Sequence, residues 1–309
     1  MSTGAPVTSE REAPARRLGL VVLNWNGQAV LPGCLASLGA AAGASRHAVE
    51  RLLVDNASAD GSADWAAAVH PEWELLRLPA NRGFAAGMNA GLAHLAPRGL
   101  DYLCVLNNDI EADPGLLDPL VADLEADPRR GGVCPRIHYA DPRERIWYAG
   151  GAVSRVSTVS RHLGIRQAAA GRWLQAAETG YLTGCCLLGR AEFWRTTGGF
   201  DEQFGFYGED VDLSLRARAL GWRLRYQPAG LLFHRVGFAS GGALATGKLR
   251  AQRRAAAALV ARHVPRWRRP LARAAWSLHW LRALAGAIGR GEPGVLRAAL
   301  GALRKESKA

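Results

Sequence analysis

Three acidic residues close together in the 309-residue chain have the type and spacing needed for proton transfer from a hydroxyl group. Glu209, Asp210 and Asp212 follow the segment Gly-Phe-Tyr-Gly and open a stretch with the pattern of an amphipathic helix. The attraction between a carboxylate and a helix N-terminus accounts for one acid here, but three acids in four positions exceed what capping requires. We therefore expect a general base for a hydroxyl proton in this segment.

A further carboxylate, Asp109, follows the apolar run 103–106 and two asparagines. Helix capping would explain it, but an acid at a strand end beside oxygen-bearing side chains also suits a divalent cation that bridges a diphosphate. One carboxylate would hold such a cation weakly, so a second protein ligand is expected. His234, which ends the apolar run 231–233, is the candidate, and the alternative is a partly buried histidine bonded to the backbone.

The elements that must position these residues alternate between short apolar strands and helices. Repeated βα units predict a parallel sheet with helices on both faces, in which the ligand cleft lies outside the carboxyl ends of the strands. The predicted strands cover residues 18–24, 51–55, 75–78 and 102–106, and the helices cover 28–38, 62–69, 84–95 and a segment after Pro114. Residues 129–180 are irregular and are expected to form short strands and loops across the sheet edge, before a strand over 181–188 and a helix over 210–220.

Each of the first four predicted strands ends in polar residues. Asn, Asp and Gly commonly form turns and helix caps, which would account for any one of these clusters. Four successive clusters at the same edge of a sheet favour a bound ligand. The clusters are Asn24-Trp25-Asn26-Gly27, Asp55-Asn56-Ala57-Ser58, Asn81-Arg82-Gly83-Phe84 and Asn107-Asn108-Asp109.

Two common nucleotide-binding patterns are not met. A dinucleotide site would need Gly-x-Gly-x-x-Gly after the first strand, where only Gly27 is present. The segment 242–248 is close to a phosphate-binding Walker loop, but Leu249 stands where Ser or Thr should hold magnesium. These departures disfavour a Rossmann dehydrogenase and a P-loop enzyme.

The formal net charge of +12 is unevenly distributed along the chain. Residues 1–247 hold 24 Lys or Arg against 25 acids, whereas residues 248–309 hold 15 against two. Within this basic tail, Trp276 and Trp280 lie one helical turn apart, behind several arginines. Arginines inside the apolar segment 271–288 disfavour a membrane span and favour a helix lying on an anionic membrane surface. A helix packed on the rest of the protein, or a contact in a homodimer, is the alternative.

Cysteine usage and the start of the chain predict an intracellular protein. Five scattered cysteines without metal-ligand spacing predict buried thiols in a reducing compartment. Residues 1–17 are polar and lack the apolar core of a signal peptide, so a disordered lead-in is expected. We expect a cytoplasmic protein, peripheral on the inner face of the cell membrane.

Taken together, the motifs resemble those of inverting glycosyltransferases with the GT-A fold, in the bacterial rhamnosyltransferase-like branch of glycosyltransferase family 2. The resemblance implies an α/β domain over residues 18–242, with a mainly parallel, Rossmann-like sheet covered by helices, and a basic amphipathic helical extension over 243–309. The matching segments are VVLNWNG (21–27), LLVDNASADGS (52–62), NRGFAAGMNAGL (81–92), LCVLNNDI (103–110), residues 183–222 and HRVGFASGG (234–242).

The resemblance implies a nucleoside-diphosphate sugar bound at the strand ends. It implies that Asp55 pairs with the pyrimidine base and that Asp109 and His234 hold a divalent cation, Mn²⁺ or Mg²⁺. The chain keeps only the last acid of the family's DxD motif, so Asn107 would hydrogen-bond the ribose. The other residues expected at the nucleotide sugar are Leu23, Asn24, Asn26, Arg82, Asn89 and Asn108.

For catalysis, the resemblance implies that Asp210 is the general base and that Glu209 orients the acceptor or the base. One displacement by an acceptor hydroxyl would invert the anomeric centre. The branch implies dTDP-L-rhamnose as donor and a glycan or lipid-linked precursor of the cell envelope as acceptor. One alternative is a relative that binds a nucleotide sugar without transferring it. The other is a nucleic-acid-binding protein acting through the tail, which is not expected because residues 1–247 show no recognised nucleic-acid module.

Overall fold

The computed structural model describes residues 14–205, 207–236 and 246–289, and within them short strands and helices alternate over the first half of the chain. The strands are β1 (Arg17–Asn24), β2 (Ala48–Asp55), β3 (Glu74–Arg77), β4 (Tyr102–Asn107), β5 (Ile110–Ala112), β6 (Arg130–Tyr139), β7 (Ile146–Tyr148), β8 (Gly151–Val153), β9 (Ser160–His162), β10 (Ala177–Glu178), β11 (Cys186–Arg190) and β12 (Arg223–His234). The helices are α1 (Leu31–Ala44), α2 (Ser62–Val69), α3 (Gly83–Leu95), α4 (Leu117–Glu125), α5 (Ala191–Thr197), α6 (Glu209–Ala219), α7 (Thr246–His263) and α8 (Arg269–Gly289).

Ten strands form one sheet in the order β10-β12-β6-β11-β4-β1-β2-β3, with β5 added to β12 and β7 added to β6. Strands β3, β2, β1 and β4 are parallel, β11 is antiparallel to both of its neighbours, and β6 is parallel to β12. Strands β8 and β9 pair separately. The mostly parallel sheet covered by helices confirms the predicted α/β class.

The strand register brings the predicted polar ends together. Asn24 at the end of β1 lies opposite Asp55 at the end of β2, and Leu23 lies opposite Asn107 at the end of β4. The apolar side chains of β1 and β4 are almost completely buried, as expected for strands covered on both faces. The three strand ends therefore form one polar edge of the sheet.

The prediction of short strands at the sheet edge over residues 129–180 is wrong at its start, because β6 is ten residues long and lies inside the sheet. Its sequence, RGGVCPRIHY, contains two glycines and a proline, which weaken any strand signal. Pro135 is tolerated because the pairing of β6 with β12 shifts register immediately beyond Gln227, its partner. The strand predicted over 181–188 also begins later, at Cys186.

Among the described residues, α7 and α8 follow β12. Ala255 and Leu259 of α7 belong to the main hydrophobic core, whereas Val260, Val264 and Ala272 form a small separate cluster. Helix α8 is exposed along most of its described length. Among the described residues, no helix combines the length and apolar character needed to cross a membrane. The five cysteines are free and buried, as predicted.

Candidate active site

A network of side-chain hydrogen bonds joins the ends of three parallel strands. The Asn24 amide is fully buried and donates from Nδ2 to Asp55 Oδ1 at 3.2 Å and to Ser62 Oγ at 2.8 Å. Its Oδ1 accepts a hydrogen bond from Asn108 Nδ2 at 2.8 Å. The structure thus brings together three of the residues predicted at the nucleotide sugar.

Gly27 is required for this network. A Cβ at this position would lie 2.3 Å from both Asn108 Nδ2 and Asn24 Oδ1, much closer than non-bonded atoms approach. The neighbouring Asn26 has a φ of 50° and accepts a hydrogen bond at Oδ1 from the backbone N–H of Ala59, 2.8 Å away. The polar edge is therefore tightly packed, and Asn26 fixes the loop after β2 against the loop after β1.

Two other predicted nucleotide residues, Arg82 and Asn89, lie nearer to the loop that precedes α6. Arg82 is half-exposed, and its guanidinium lies 3.2 Å from the Glu202 carboxylate. Asn89 uses both ends of its amide on the backbone of Phe200, donating to the carbonyl at 2.8 Å and accepting from the N–H at 2.9 Å. Asn89 thus fixes the backbone of this loop through two hydrogen bonds, whereas the guanidinium of Arg82 lies at the protein surface.

The side chain of Leu23 packs against α3, where a Cβ on Gly87 would approach its Cδ1 to 2.5 Å. Asn107, also predicted at the nucleotide sugar, is half-buried at the end of β4. Trp25 was not among the predicted site residues, yet its side chain is 48% exposed within the polar loop after β1. The sequence does carry a signal for it: an aromatic residue lies between two asparagines at a strand end, where a large apolar side chain has no core to enter.

Asp109 and His234 lie side by side although 125 positions separate them. The antiparallel pairing of β5 with β12 places His234 opposite Ile110, so that its Nε2 is 3.1 Å from Asp109 Oδ1. Both side chains are buried, but the contact lacks hydrogen-bond geometry, and Asp109 Oδ1 and His234 Nδ1 have no hydrogen-bond partner among the described residues. The ring of Trp147 contacts the His234 imidazole edge to face, with centroids 4.4 Å apart.

A carboxylate and an imidazole with unsatisfied buried atoms fit a divalent cation, since both are common ligands of Mn²⁺ and related ions. No group of three or more His, Cys, Asp or Glu able to hold a metal occurs in the described part of the chain. A cation at Asp109 and His234 would therefore need its remaining ligands from a bound diphosphate or water.

Glu209 and Asp210 occupy the first turn of α6, after Tyr207 and Gly208, which have φ of 76° and 89°. A tyrosine in this backbone region is strained, and such strain often occurs at functional sites. Burial raises the pKa of Asp210, and backbone N–H groups of Val211 and Gly184 offset part of that effect. Burial and the neighbouring Asp210 charge raise the pKa of Glu209, whose Oε2 has no partner among the described residues.

The segment 183–185 connects this pair to the sheet edge. Gly184 lies against Asp210, since a Cβ on this glycine would lie 4.0 Å from the Asp210 Cβ, and the carbonyl of Cys185 accepts the N–H of Asn107 at 3.1 Å. Burial, with the nearby charge of Asp109, raises the pKa of the Cys185 thiol. One three-residue segment thus contacts both the carboxylate of α6 and the end of β4.

Asp212, the third acid of the predicted trio, has a different environment. It is fully buried and bonds to Arg216 of its own helix and to Arg262 and His263 of α7. Sequence reasoning did not single out Arg262 or His263, because nothing in the sequence pairs a tail residue with an acid about 50 positions earlier.

The sequence model described as "Glycosyl transferase family 2" matches residues 20–196. The chain is 29% identical over 273 residues to the N-acetylglucosaminyl-diphospho-decaprenol L-rhamnosyltransferase of Mycobacterium tuberculosis, covering 82% of this chain and 87% of that protein.

Two solved structures share the fold. The mannosyltransferase PcManGT from Pyrobaculum calidifontis, in complex with GDP-Man and Mn²⁺, superposes with a TM-score of 0.58 at 18% identity over 94% of this chain and 80% of that one. GalNAc-T7 with UDP, GalNAc and Mn²⁺ gives a TM-score of 0.56 at 16% identity, covering 78% of this chain and 48% of that one, so this chain spans about half its length. The chain belongs to glycosyl transferase family 2, is a glycosyltransferase with the GT-A fold, and is similar to an L-rhamnosyltransferase over most of its length.

Proposed function

We propose that this enzyme transfers L-rhamnose from dTDP-L-rhamnose to a hydroxyl group of a lipid-linked glycan of the cell envelope, with inversion of the anomeric centre. The observation that carries the proposal is that the segment 183–185 contacts Asp210 through Gly184 and contacts the end of β4, next to Asp109, through Cys185. A diphosphate leaving group and an acceptor hydroxyl need those two groups close together. The choice of sugar and lipid rests on the name of the Mycobacterium tuberculosis relative.

The polar edge of the sheet would bind the nucleotide. Asp55 is almost fully buried and accepts from Asn24 and from the N–H of Ser58, yet each carboxylate oxygen can accept a second hydrogen bond. Base recognition by Asp55 would use that remaining capacity. The exposed indole of Trp25, which follows Asn24 in the chain, offers a flat apolar surface. Asn107 and Asn108 would bond ribose hydroxyls.

Asp109 and His234 would hold a divalent cation together with the donor diphosphate. When bound there, the cation would neutralise the negative charge that develops on the departing nucleoside diphosphate. Packing of Trp147 against the imidazole restricts the ring orientation of His234. The two side chains would therefore meet the diphosphate in a fixed geometry.

Asp210 would act as general base for the acceptor. The acceptor oxygen forms a bond to the anomeric carbon as the bond from that carbon to the diphosphate breaks, and the hydroxyl proton passes to Asp210. A raised pKa suits this role because a base is most effective when its pKa lies nearer the working pH. Glu209, buried beside it, would orient the acceptor or the base.

A thermal-shift screen of nucleotide sugars with Mn²⁺, followed by a transfer assay, tests the donor. We expect the largest rise in Tm with dTDP-rhamnose, because a ligand at 100 times its Kd adds about 2.7 kcal/mol to the free energy of unfolding. Product nuclear magnetic resonance then reports the anomeric configuration. A larger shift with a UDP- or GDP-sugar would show that the proposed donor is wrong.

The main alternative is a nucleotide-sugar-binding relative without transferase activity. Donor hydrolysis in the presence of Mn²⁺ discriminates the two, since a catalytic site releases nucleoside diphosphate slowly even when water replaces the acceptor. A nucleic-acid role has less support, because the net positive charge lies in residues 248–309 and the rest of the chain is slightly acidic.

The tail would bind an anionic membrane, where a lipid-linked acceptor resides. Trp267, Leu271, Leu278 and Leu281 are 48–75% exposed on or next to α8, and four arginines occupy residues 266–273. Exposed apolar and basic side chains together favour an anionic lipid surface. Because Ala255 and Leu259 belong to the main core, the catalytic unit would extend through α7 and the membrane-binding part would begin after it.

Flotation with phosphatidylglycerol vesicles tests this part of the proposal. Leu271→Ser combined with Leu278→Ser should reduce binding, because both apolar side chains leave water on insertion. Leu220→Ser, at an equally exposed leucine after α6, is the matched control and should float like the wild type. Equal binding of all three proteins would contradict a role for α8.

A further inference from the structure

Asp212 is a fully buried carboxylate shared between two helices. Its Oδ2 accepts a hydrogen bond from Arg216 Nε at 2.7 Å, and its Oδ1 lies 2.7 Å from His263 Nε2 and 3.3 Å from Arg262 Nη1. Burial would raise the pKa of Asp212, but hydrogen bonds from His263 and Arg216 outweigh burial and hold the pKa below its ordinary value. The group is therefore ionised, and its oxygens lie against nitrogen atoms of two arginines and one histidine.

The Arg216 side of this cluster fixes the segment that leads into α6. The Arg216 guanidinium donates to the backbone carbonyls of Thr197 and Gly199, the latter at 2.8 Å. The Arg262 guanidinium bonds to Asp201 as well as to Asp212. The cluster thus fixes two places: the beginning of the 199–208 segment, and the first turns of α6, which follows that segment.

The α7 side of the cluster lies against the backbone that precedes Asp210. Gly208 has a φ of 89°, and a Cβ there would lie 2.9 Å from the Cβ of Ala255 in α7. Helix α7 therefore contacts the strained turn at Gly208 directly. It also bonds to Asp212, which lies in α6, the helix that begins after this turn. All of these α7 contacts lie outside residues 20–196, which the family model covers.

We propose that Asp212 is a positioning residue for sugar transfer and that α7, through Arg262 and His263, is part of the catalytic scaffold. Asp212 lies two residues after Asp210, and its bonds to α7 fix the first turns of α6 against the rest of the protein. Loss of these bonds would let the Asp210 carboxylate move away from the acceptor hydroxyl, while the polar edge of the sheet would remain intact. The inference rests on the proposed role of Asp210 as base.

Asp212→Asn is the most direct test because it removes the charge and keeps the shape. We expect kcat to fall about 10- to 100-fold, the size of effect that a small misplacement of a catalytic group produces, with the donor Kd unchanged. His279→Gln, at an exposed position on α8, is the control and should behave like the wild type. A folded Asp212→Asn protein with a wild-type kcat would overturn the inference, as would an equal loss of kcat and donor affinity.

A pair of variants at His263 gives an independent test that does not require Asp212→Asn to fold. His263→Gln keeps a nitrogen donor able to reach the Asp212 carboxylate, whereas His263→Leu does not. We expect the glutamine variant to retain most of the wild-type kcat and the leucine variant to lose it, again with unchanged donor Kd. Equal kcat in the two variants would contradict a positioning role.

The wild-type assay separates this inference from the proposed function. If the wild-type protein transfers no sugar and Asp210→Asn changes nothing, the proposed function is wrong. If the wild type transfers sugar and Asp210→Asn abolishes the transfer, but the Asp212 and His263 variants keep the wild-type kcat, then only the scaffold inference is wrong.

Discussion

The polar edge of the sheet and the junction between α6 and α7 are both parts of the proposed site, but they are held together differently. At the sheet edge, two amides and one carboxylate at the ends of adjacent parallel strands bond to one another, and strand register alone brings them within reach. At the junction, a buried carboxylate bonds to an arginine and a histidine about 50 residues later in the chain. In the proposed mechanism, donor binding would depend on the sheet, whereas catalysis would also depend on the docking of α7.

The largest difference between the two regions should appear at Asp210. Asp210→Asn is expected to lower kcat by about 10²- to 10⁴-fold, the usual contribution of a general base, without changing the donor Kd. Steady-state kinetics and donor titration measure the two quantities. Asp64→Asn, at an exposed acid of α2, should be silent. Near-normal turnover of Asp210→Asn would remove Asp210 from the role of base.

The next largest effect is expected at the cation pair. His234→Gln removes the imidazole from Asp109, so the Mn²⁺ concentration for half-maximal activity should rise at least about tenfold. Excess Mn²⁺ should restore part of the activity, which a simple loss of fold would not allow. Identical Mn²⁺ titrations of His234→Gln and of the control His279→Gln would show that His234 does not hold the cation.

A packing change at the sheet edge should alter stability and donor binding together. Gly27→Ala would force its new Cβ into the amides of Asn24 and Asn108, at a cost of about 1–3 kcal/mol in the free energy of unfolding. Gly33→Ala, where no atom lies within 4 Å of the new Cβ, is the matched control. Because Gly33 lies inside α1, this control should gain about 0.5–1 kcal/mol. Denaturant unfolding and donor titration would show whether the two glycines differ as expected.

The smallest expected effect is a displacement of the pH profile. A general base must be deprotonated, and burial raises the pKa of Asp210. We therefore expect kcat to decrease as the pH falls. The pH at which kcat is half its maximum should lie above about 3.9, the ordinary pKa of an aspartate. Donor Kd measured over the same range provides the control. A flat kcat profile down to pH 4 would mean that Asp210 is not the titrating base.

The sequence was sufficient to predict the βα units and the polar strand ends, because each depends on residues close together in the chain. It also predicted that Asp109 and His234 share a cation, which stays a prediction; the pairing of β5 with β12 shows how the two side chains meet. The interior position of β6 was missed because its glycines and proline conceal a strand whose pairing partners are distant in sequence.

The role of Asp212 could not be predicted for a related reason. Three clustered acids look alike in a sequence, and the difference between them comes from what is packed around each one. Glu209 and Asp210 are buried or half-buried in the first turn of α6, whereas Asp212 bonds to an arginine and a histidine of another helix. Distant charge pairing has no local signature in composition or periodicity.

The pairing of β12 with β5 also has a consequence for how the enzyme matures. The polar edge of the sheet uses residues 24–108. His234, in contrast, reaches Asp109 only after β12 has been synthesised and has paired with β5. Contacts between such distant residues close late in folding, because the intervening chain must first lose its freedom. A chain still being synthesised could therefore form the polar edge before Asp109 and His234 meet, and a donor held through the proposed cation would bind more tightly to the completed protein.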